Sequence, residues 1–314
     1  MIYGVGEAPS KIILMGEHAV VYGAPAIAMP FFSLGVKCTV QEQKGETYIQ
    51  SICYDGPLQK SPDSIQGIRK LIEVTLDHLN VENNNLKIII ESLIPPQRGL
   101  GSSAAVSVAI VRALFDAFDE KLSIDTLNHL VSIAESIHHF NPSGLDASTI
   151  LNEKMMVYRR NNGIEYLDSK LEGFLVVADS GKQGNTQEAV REVKQLLESK
   201  PHLMKKQMEK LTDLTFQAQS ALEDNEIHTL GYLMTQAHKS LMTIGVSDSQ
   251  MDKYVEVALT NGAFGAKLTG GGKGGCMIAL TDSIVDAQKI SYALLNAGVK
   301  TTWIYNMREV INYE

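Results

Sequence analysis

The chain has 314 residues, of which 44% are hydrophobic and 20% are charged, and its formal net charge is −8. This length exceeds the usual size of one hydrophobic core, so we expect about two domains. The acidic balance argues against a general nucleic-acid-binding protein. The most apolar stretch, Ala104 to Phe118, contains Arg112 and Asp116 and is too short to cross a bilayer, so we expect no membrane partner either.

The amino terminus lacks the basic start and the long apolar stretch of a signal peptide. The cysteines Cys38, Cys53 and Cys276 form neither an even disulfide framework nor a metal-spaced cluster. Reduced thiols in a cytoplasmic protein are the simplest interpretation of this pattern.

Short apolar runs separated by glycine and proline dominate the start of the chain. They predict strands of a mostly antiparallel sheet at residues 11–16, 19–31 and 34–40. The spacing of isoleucine and leucine predicts a helix over residues 62–80. A strand at residues 86–94 follows, and two prolines end it.

The middle and the end of the chain alternate helices and strands in the same way. Helices are predicted at 102–118, 124–139 and 283–297, strands at 173–180 and 301–307, and a hairpin around 161–163. Residues 184–245 form a long polar helical stretch, so we place a domain boundary near residue 180. The expected domains are residues 1–180 and 181–314, and strands packed on helices in both predict an α+β fold.

The stretch "PPQRGLGSSAA" places glycines and serines directly before an alanine-rich helix. A serine could cap that helix, or the glycines and serines could form a cradle for phosphate at the helix amino terminus. The spacing Gly99-x-Gly101-x-x-Ala104 also satisfies a dinucleotide-binding pattern. The two prolines and the lack of flanking βαβ units weaken that third interpretation.

Three further stretches carry residues suited to phosphate chemistry. In "PSKIILMGEHAVVYG", Lys11 is either a solvated cation or a charge beside a phosphate, and Glu17 is either a turn residue or part of the same site. In "AESIHHFNPSGLDAS", Glu135 lies toward the edge of a helix's core face, where it is either a solvated residue or a carboxylate facing a cleft. Asp146 follows a Pro-Ser-Gly turn, where by itself it is a loop residue or a helix cap.

The stretch "GAKLTGGGKGGC" is rich in glycine but fails the P-loop pattern. Lys273 has Lys267 six residues before it, where the pattern requires glycine, and Gly274 stands where serine or threonine is required. The stretch is therefore either a wide loop between strands or a second backbone surface that closes over phosphates.

Taken together and in this order, the motifs resemble those of the GHMP small-molecule kinases. "PSKIILMGEHAVVYG", "PPQRGLGSSAA" and "KLTGGGKGGC" are similar to the family's motifs one, two and three, and they span residues 9–276. Within the group, "GEHAVVYG" and "NPSGLD" are similar to the branch that acts on mevalonate. The resemblance implies an N-terminal half like domain 2 of ribosomal protein S5, a ferredoxin-like C-terminal half, and an active site in the cleft between them.

The resemblance also implies a role for each matching residue. Asp146 would be the catalytic base, Lys11 would stabilise charge during transfer, and Ser103 and Glu135 would hold Mg²⁺. The residues implied to bind the phosphates of ATP are Gly99, Leu100, Gly101, Ser102, Ser103 and Ala104, with Gly270, Gly271 and Gly272 of motif three. The residues implied to lie near the substrate are Glu17, His18, Ser143 and Thr186.

The expected reaction is therefore ATP-dependent phosphorylation of the primary hydroxyl of mevalonate, in the isoprenoid pathway. The alternative is another kinase of the group, acting on phosphomevalonate or homoserine. Some residues depart from the family pattern: Gly184 replaces an arginine found in animal members, Lys182 is a candidate to replace its charge, and Lys273 interrupts the glycine run. The resemblance leaves the oligomeric state open, with a homodimer as one candidate.

Overall fold

The computed structural model describes residues 2–138, 144–160 and 163–310. The helices are α1 Gln66–His78, α2 Ser102–Ala117, α3 Ile124–His138, α4 Leu145–Asn152, α5 Thr186–Ser199, α6 Pro201–Glu223, α7 Ile227–Thr243, α8 Ser249–Thr260 and α9 Ile284–Asn296. The strands are β1 Tyr3–Met15, β2 Ala26–Glu46, β3 Tyr48–Gln50, β4 Asp55–Pro57, β5 Asn84–Ser92, β6 Met156–Arg159, β7 Gly163–Tyr166, β8 Phe174–Asp179, β9 Gly265–Thr269, β10 Cys276–Thr281 and β11 Thr301–Asn306.

The chain forms two compact units, each made of three segments. The first unit comprises Met1–Lys11, Phe31–Pro95 and Gly101–Glu153, and the second comprises Ile12–Pro30, Pro96–Leu100 and Lys154–Glu314. These units, defined by spatial contacts, are not separated at one point in the sequence, because β1 and β2 each contribute residues to both units. The boundary near residue 180 stays a prediction about the family's two domains.

The first unit packs helices α1 to α4 with a sheet in the order β4-β3-β5-β2, and β1 also pairs with β2. Most of these pairings are antiparallel, whereas β3 runs parallel to β5. β1 lies directly on α2, since a Cβ on Gly6 would come within 2.2 Å of the Ala109 carbonyl oxygen. Gly4 makes the same approach to Ala117, so later residues of β1 approach earlier residues of α2. The strand therefore directs Lys11 toward the start of that helix.

The second unit contains a four-stranded antiparallel sheet in the order β11-β8-β10-β9, which is the order of a ferredoxin-like sheet. Helices α7, α8 and α9 pack on this sheet, and α5 and α6 pack on one another. A small separate ladder joins residues Ala26–Ala28 of β2 to β6, and β6 to β7.

The structure corrects several expected elements. The strand expected at 19–31 begins only at Ala26, because residues 19–22 form a 3₁₀ turn. It continues through the strand expected at 34–40 as one strand, β2. Pro30 is tolerated there because it lies between the part of β2 that pairs with β6 and the part that pairs with β5. The helix α4 was not expected from the sequence.

The long helical stretch after residue 184 also differs from its prediction in one respect, because it is divided into the three helices α5, α6 and α7. Pro201 occupies the first turn of α6, a position where its missing N–H costs no hydrogen bond. In the part of the chain that the structure describes, no helix combines the length and the apolarity needed to cross a membrane.

Candidate active site

The start of α2 is built by a glycine and not by a serine cap. Gly101 is the N-cap residue, and its φ of +76° is a conformation that glycine adopts easily. Ser102 and Ser103 are therefore the first two residues of the helix and not its cap. Ser103 is exposed and Ser102 half-buried. The interpretation as a serine N-cap is therefore wrong, and an anion at this helix start would face amide groups that have no partner inside the helix.

The dinucleotide interpretation fails on the same geometry. β5 ends at Ser92, ten residues before α2 begins at Ser102, whereas a dinucleotide fingerprint joins its strand and helix by one tight turn. The neighbouring strands of β5 are β3 and β2, and the pairing with β2 is antiparallel.

Lys11 runs beneath the start of α2 and reaches Asp146. A Cβ on Gly101 would lie 2.9 Å from Cγ of Lys11, so the lysine stem needs a glycine at this position. The Lys11 ammonium lies 2.8 Å from Oδ1 of Asp146, and the two side chains are 2% and 39% exposed. Asp146 lies in the first turn of α4. The structure thus places a buried cation next to a carboxylate that solvent can reach.

Glu135 adds a second carboxylate to this group. It lies on α3, a helix that packs on α2 and α4, and it is 9% exposed. Burial, and then the negative charge of Asp146, raise the pKa of Glu135 to about 7. A nearby divalent cation would offset both effects, and oxygen ligands are those that Mg²⁺ prefers. By donor chemistry, the Glu135 carboxylate and the Ser103 hydroxyl are oxygen ligands of the kind that suits Mg²⁺.

Motif one and motif three are joined in the second unit by a buried ion pair. Lys267 on β9 pairs with Glu17, and both side chains are fully buried. The Lys267 ammonium also donates to the Leu268 carbonyl at 2.8 Å. Two residues further on, Thr269 Oγ1 donates to the Ile13 carbonyl at 2.8 Å. Alternate residues of β9 point to one face, so this strand fixes motif one along its length.

His18 continues this connection toward the glycine-rich loop. Its Nε2 lies 2.9 Å from the Gly271 carbonyl oxygen, to which the neutral ring can donate. Burial lowers the pKa of His18 to about 4, although the bond to Gly271 opposes the shift. The residue has φ +60°, a backbone conformation that costs free energy outside glycine and is often found at functional sites.

The glycines of motif three allow three segments to approach closely. A Cβ on Gly270 would lie 2.8 Å from the Cα of Gly99, and a Cβ on Gly271 would lie 2.1 Å from Oγ1 of Thr186. The structure thus brings Gly99, the glycine-rich loop of residues 270–275 and the start of α5 close together. Leu100, between the two loop glycines, is buried.

Sequence reasoning missed a second buried ion pair, between Arg98 and Asp179. The Arg98 Nε donates to Oδ1 of Asp179 at 2.6 Å, and its Nη2 donates to the Gly181 carbonyl at 3.0 Å. Both side chains are almost fully buried. The pair anchors the segment before α2 to the segment that follows β8. The signal that could have indicated it is a charged residue at the end of the apolar strand "FLVVAD".

Two more sequence candidates have definite positions. The Lys182 ammonium lies 2.6 Å from a carboxylate oxygen of Asp248, which is the N-cap residue of α8. The Gly184 amide donates to the Gln97 carbonyl at 2.8 Å. Ser143 lies outside the described residues.

Family models and known proteins match most of this chain. A family model for the GHMP kinases N terminal domain matches residues 66–153, and one for the GHMP kinases C terminal region matches residues 218–300. The mevalonate kinase of Pyrococcus abyssi is 32% identical in an alignment of 297 residues that covers 88% of this chain and 88% of that protein. The crystal structure of L. major mevalonate kinase in complex with R-mevalonate is 30% identical, covers 96% of this chain and 95% of that chain, and has a TM-score of 0.83.

A more distant structure shares the fold alone. Streptococcus pneumoniae phosphomevalonate kinase, in complex with phosphomevalonate and AMPPNP, has a TM-score of 0.83 and covers 96% of this chain and 99% of that chain, but is 18% identical. The α+β fold expected from the sequence is confirmed by these matches and by the sheets that pack with helices in both units. With both family models matched and relatives above 30% identity over most of its length, the chain belongs to the GHMP kinase family.

Proposed function

We propose that this chain transfers the γ-phosphoryl group of ATP to the primary (C5) hydroxyl of mevalonate. Relatives at 30–32% identity over most of the chain are named mevalonate kinases, whereas the phosphomevalonate kinase is 18% identical. The observation that carries the proposal is the Lys11–Asp146 pair beneath the start of α2. It combines a carboxylate, a buried cation and a helix amino terminus, which are the parts that phosphoryl transfer requires.

In this proposal Asp146 acts as the base. As the hydroxyl oxygen forms its bond to the γ-phosphorus, the bond from that phosphorus to the β–γ bridging oxygen breaks and ADP leaves. The hydroxyl proton passes to the Asp146 carboxylate. The Lys11 ammonium, 2.8 Å from that carboxylate, offsets negative charge that develops on the attacking oxygen.

The phosphates of ATP would be bound by backbone amides of residues 99–104 at the start of α2, with Gly270, Gly271 and Gly272 on the motif three side. Glycines suit this role because they let the backbone approach phosphate oxygens closely. Ser103 and Glu135 would hold Mg²⁺, which neutralises phosphate charge when it is bound.

The residues near the substrate would be Glu17, His18 and Thr186, with Ser143 as a further candidate. Glu17 and His18 are fixed by Lys267 and Gly271, so their positions do not depend on solvent-exposed contacts. Reduced cysteines support a cytoplasmic location, because Cys38 and Cys276 are buried free thiols.

The test is ADP release measured with mevalonate, phosphomevalonate and homoserine as separate acceptors, each with ATP and Mg²⁺. We expect kcat/KM to be highest for mevalonate. A higher value for phosphomevalonate or homoserine would reassign the substrate within the family. ATP binding without transfer to any of the three alcohols would instead support a metabolite-binding protein that keeps the kinase fold.

A further inference from the structure

Lys273 is a charged residue of motif three whose charge the proposed reaction does not use. It lies inside the glycine-rich loop of residues 270–275 and has φ +54°. A lysine in this conformation costs free energy that a glycine would not. Four other residues of the loop also have a positive φ, and all four are glycines, including Gly272 and Gly274. A lysine at this conformation therefore directs attention to what its side chain contacts.

The Lys273 ammonium forms an ion pair with Glu192 on α5. The two side chains are 26% and 36% exposed, so the pair lies at the protein surface but is partly shielded. The backbone of Lys273 is fixed separately, because its amide donates to the Val246 carbonyl at 2.8 Å. The side chain therefore does not hold its own loop in place. It links an already anchored loop to a helix.

Helix α5 meets the same loop at a second point. Thr186, the first residue of α5, lies so close to Gly271 that a Cβ there would approach its Oγ1 to 2.1 Å. Glu192 is six residues further along, about 9 Å up the helix axis. Packing on α6 already holds the buried face of α5. The two contacts with the loop, at Thr186 and Glu192, add a constraint on how α5 is directed relative to the glycine-rich loop.

We propose that Lys273 is a positioning residue: through Glu192 it sets the direction of α5 and so holds Thr186 beside the glycine-rich loop. The expected effect on substrate binding rests on the proposed function, in which Thr186 lies near mevalonate. The expected effect on the position of α5 is independent of the proposed function. Lys273 acts through Glu192 and touches no reacting atom in this proposal.

The experiment compares the wild type with Lys273→Met, Lys273→Gly, Glu192→Gln and the charge-swapped Lys273→Glu/Glu192→Lys. Met keeps the backbone cost and removes the charge, whereas Gly removes both. Lys60→Met is the matched control, since Lys60 is an exposed lysine that pairs with Glu46 at 3.8 Å, in the first unit.

The first measurement is amide hydrogen exchange of the first two turns of α5. We expect about two- to fivefold faster exchange in Lys273→Met, Lys273→Gly and Glu192→Gln, as befits a partly exposed ion pair. The charge swap should restore the wild-type rate, and Lys60→Met should match the wild type. Wild-type exchange in the three single variants, or no recovery in the swap, would overturn the proposal.

The second measurement is steady-state kinetics. We expect KM for mevalonate to rise about two- to fivefold in the three single variants while kcat and KM for ATP stay within about twofold. A fall in kcat with KM unchanged would contradict the positioning role. If the wild type does not phosphorylate mevalonate, the proposed function fails, and the exchange measurement still decides whether Lys273 positions α5.

Discussion

The Lys11 ammonium lies 2.8 Å from Oδ1 of Asp146, with the lysine buried and the aspartate open to solvent. The two residues are far apart in sequence and come from a strand and a helix of the same unit. Lys11 is the last residue of its segment in that unit, where β1 passes the start of α2. This arrangement supplies a charge that water screens little, next to a group that a substrate can approach.

Asp146→Asn tests the base. The amide keeps the shape of the carboxylate but cannot accept the hydroxyl proton, so we expect kcat to fall by about 100-fold or more while ATP still binds. The measurements are ADP release and nucleotide titration. Because Asn also removes the negative charge beside the Lys11 ammonium, thermal unfolding must show that the variant is folded. Near-normal turnover in a folded variant would remove Asp146 from this role.

Glu135→Gln tests the metal site. Removing the carboxylate charge should raise the Mg²⁺ concentration needed for half-maximal activity by about tenfold or more. The check is a titration of activity with Mg²⁺ at fixed ATP. Glu120→Gln, at an exposed position, is the control and should leave the titration unchanged. An unchanged titration in Glu135→Gln would exclude it as a ligand.

Gly101→Ala tests the contact between the start of α2 and Lys11. The new Cβ would lie 2.9 Å from Cγ of Lys11 at φ +76°, so the lysine must move. We expect kcat/KM to fall about 10- to 100-fold, because small displacements of a catalytic group are costly. Gly163→Ala has a similar φ of +84° but nothing within 4 Å of its Cβ, so it isolates the backbone cost. Equal activity losses in the two variants would contradict the explanation.

Lys267→Met tests the buried pair with Glu17. Removing the cation leaves a buried carboxylate without this partner, which should lower the free energy of unfolding by about 3–5 kcal/mol. Urea denaturation measures the change. The double variant Lys267→Met/Glu17→Gln should recover part of the loss. Lys205→Met, which removes only an exposed pair within α6, should change stability by less than about 0.5 kcal/mol. A loss in Lys267→Met as small as in that control would show that the pair contributes little.

His238 predicts a pH dependence of stability. Burial lowers its pKa to about 4. Its Nδ1 accepts from the Leu268 amide at 3.3 Å, and the charged groups facing the ring are Asp252 on α8 and Lys267 on β9. Because the pKa in the folded state lies below the ordinary value of 6.5, the stabilisation is complete above pH 6.5 and is lost as the pH falls toward 4. The contribution is up to about 3 kcal/mol.

The measurement is the free energy of unfolding between pH 8 and pH 4, in the wild type and in His238→Asn. Asn keeps a hydrogen-bond acceptor for Leu268 but cannot be protonated, so its stability should fall less steeply below pH 6.5. Some slope should remain, since the pKa of His18 is lowered in the same way. Identical slopes in the two proteins would show that His238 does not contribute.

Local patterns predicted much of the fold. The helix after the phosphate loop was expected at 102–118 and spans Ser102–Ala117, because glycines and prolines precede an uninterrupted apolar run. The prediction of separate strands at 19–31 and 34–40 was wrong, because residues 19–22 form a 3₁₀ turn and one strand, β2, runs from Ala26 to Glu46. Its hydrogen bonds to β6 lie before Pro30 and those to β5 lie after Gly35, so distant strands hold it extended on both sides of the local turn signals.

The sequence by itself predicted which residues would perform the chemistry. Lys11, Asp146 and the two glycine-rich loops follow from residue type, spacing and family pattern, since phosphate binding requires close backbone approach and a compensating charge. The tertiary structure alone decided which buried charges are paired. Lys267 finds Glu17 across 250 residues and Arg98 finds Asp179 across 81. Burying a charge is costly without a partner, and that partner is chosen by the packing of distant segments, which no local pattern encodes.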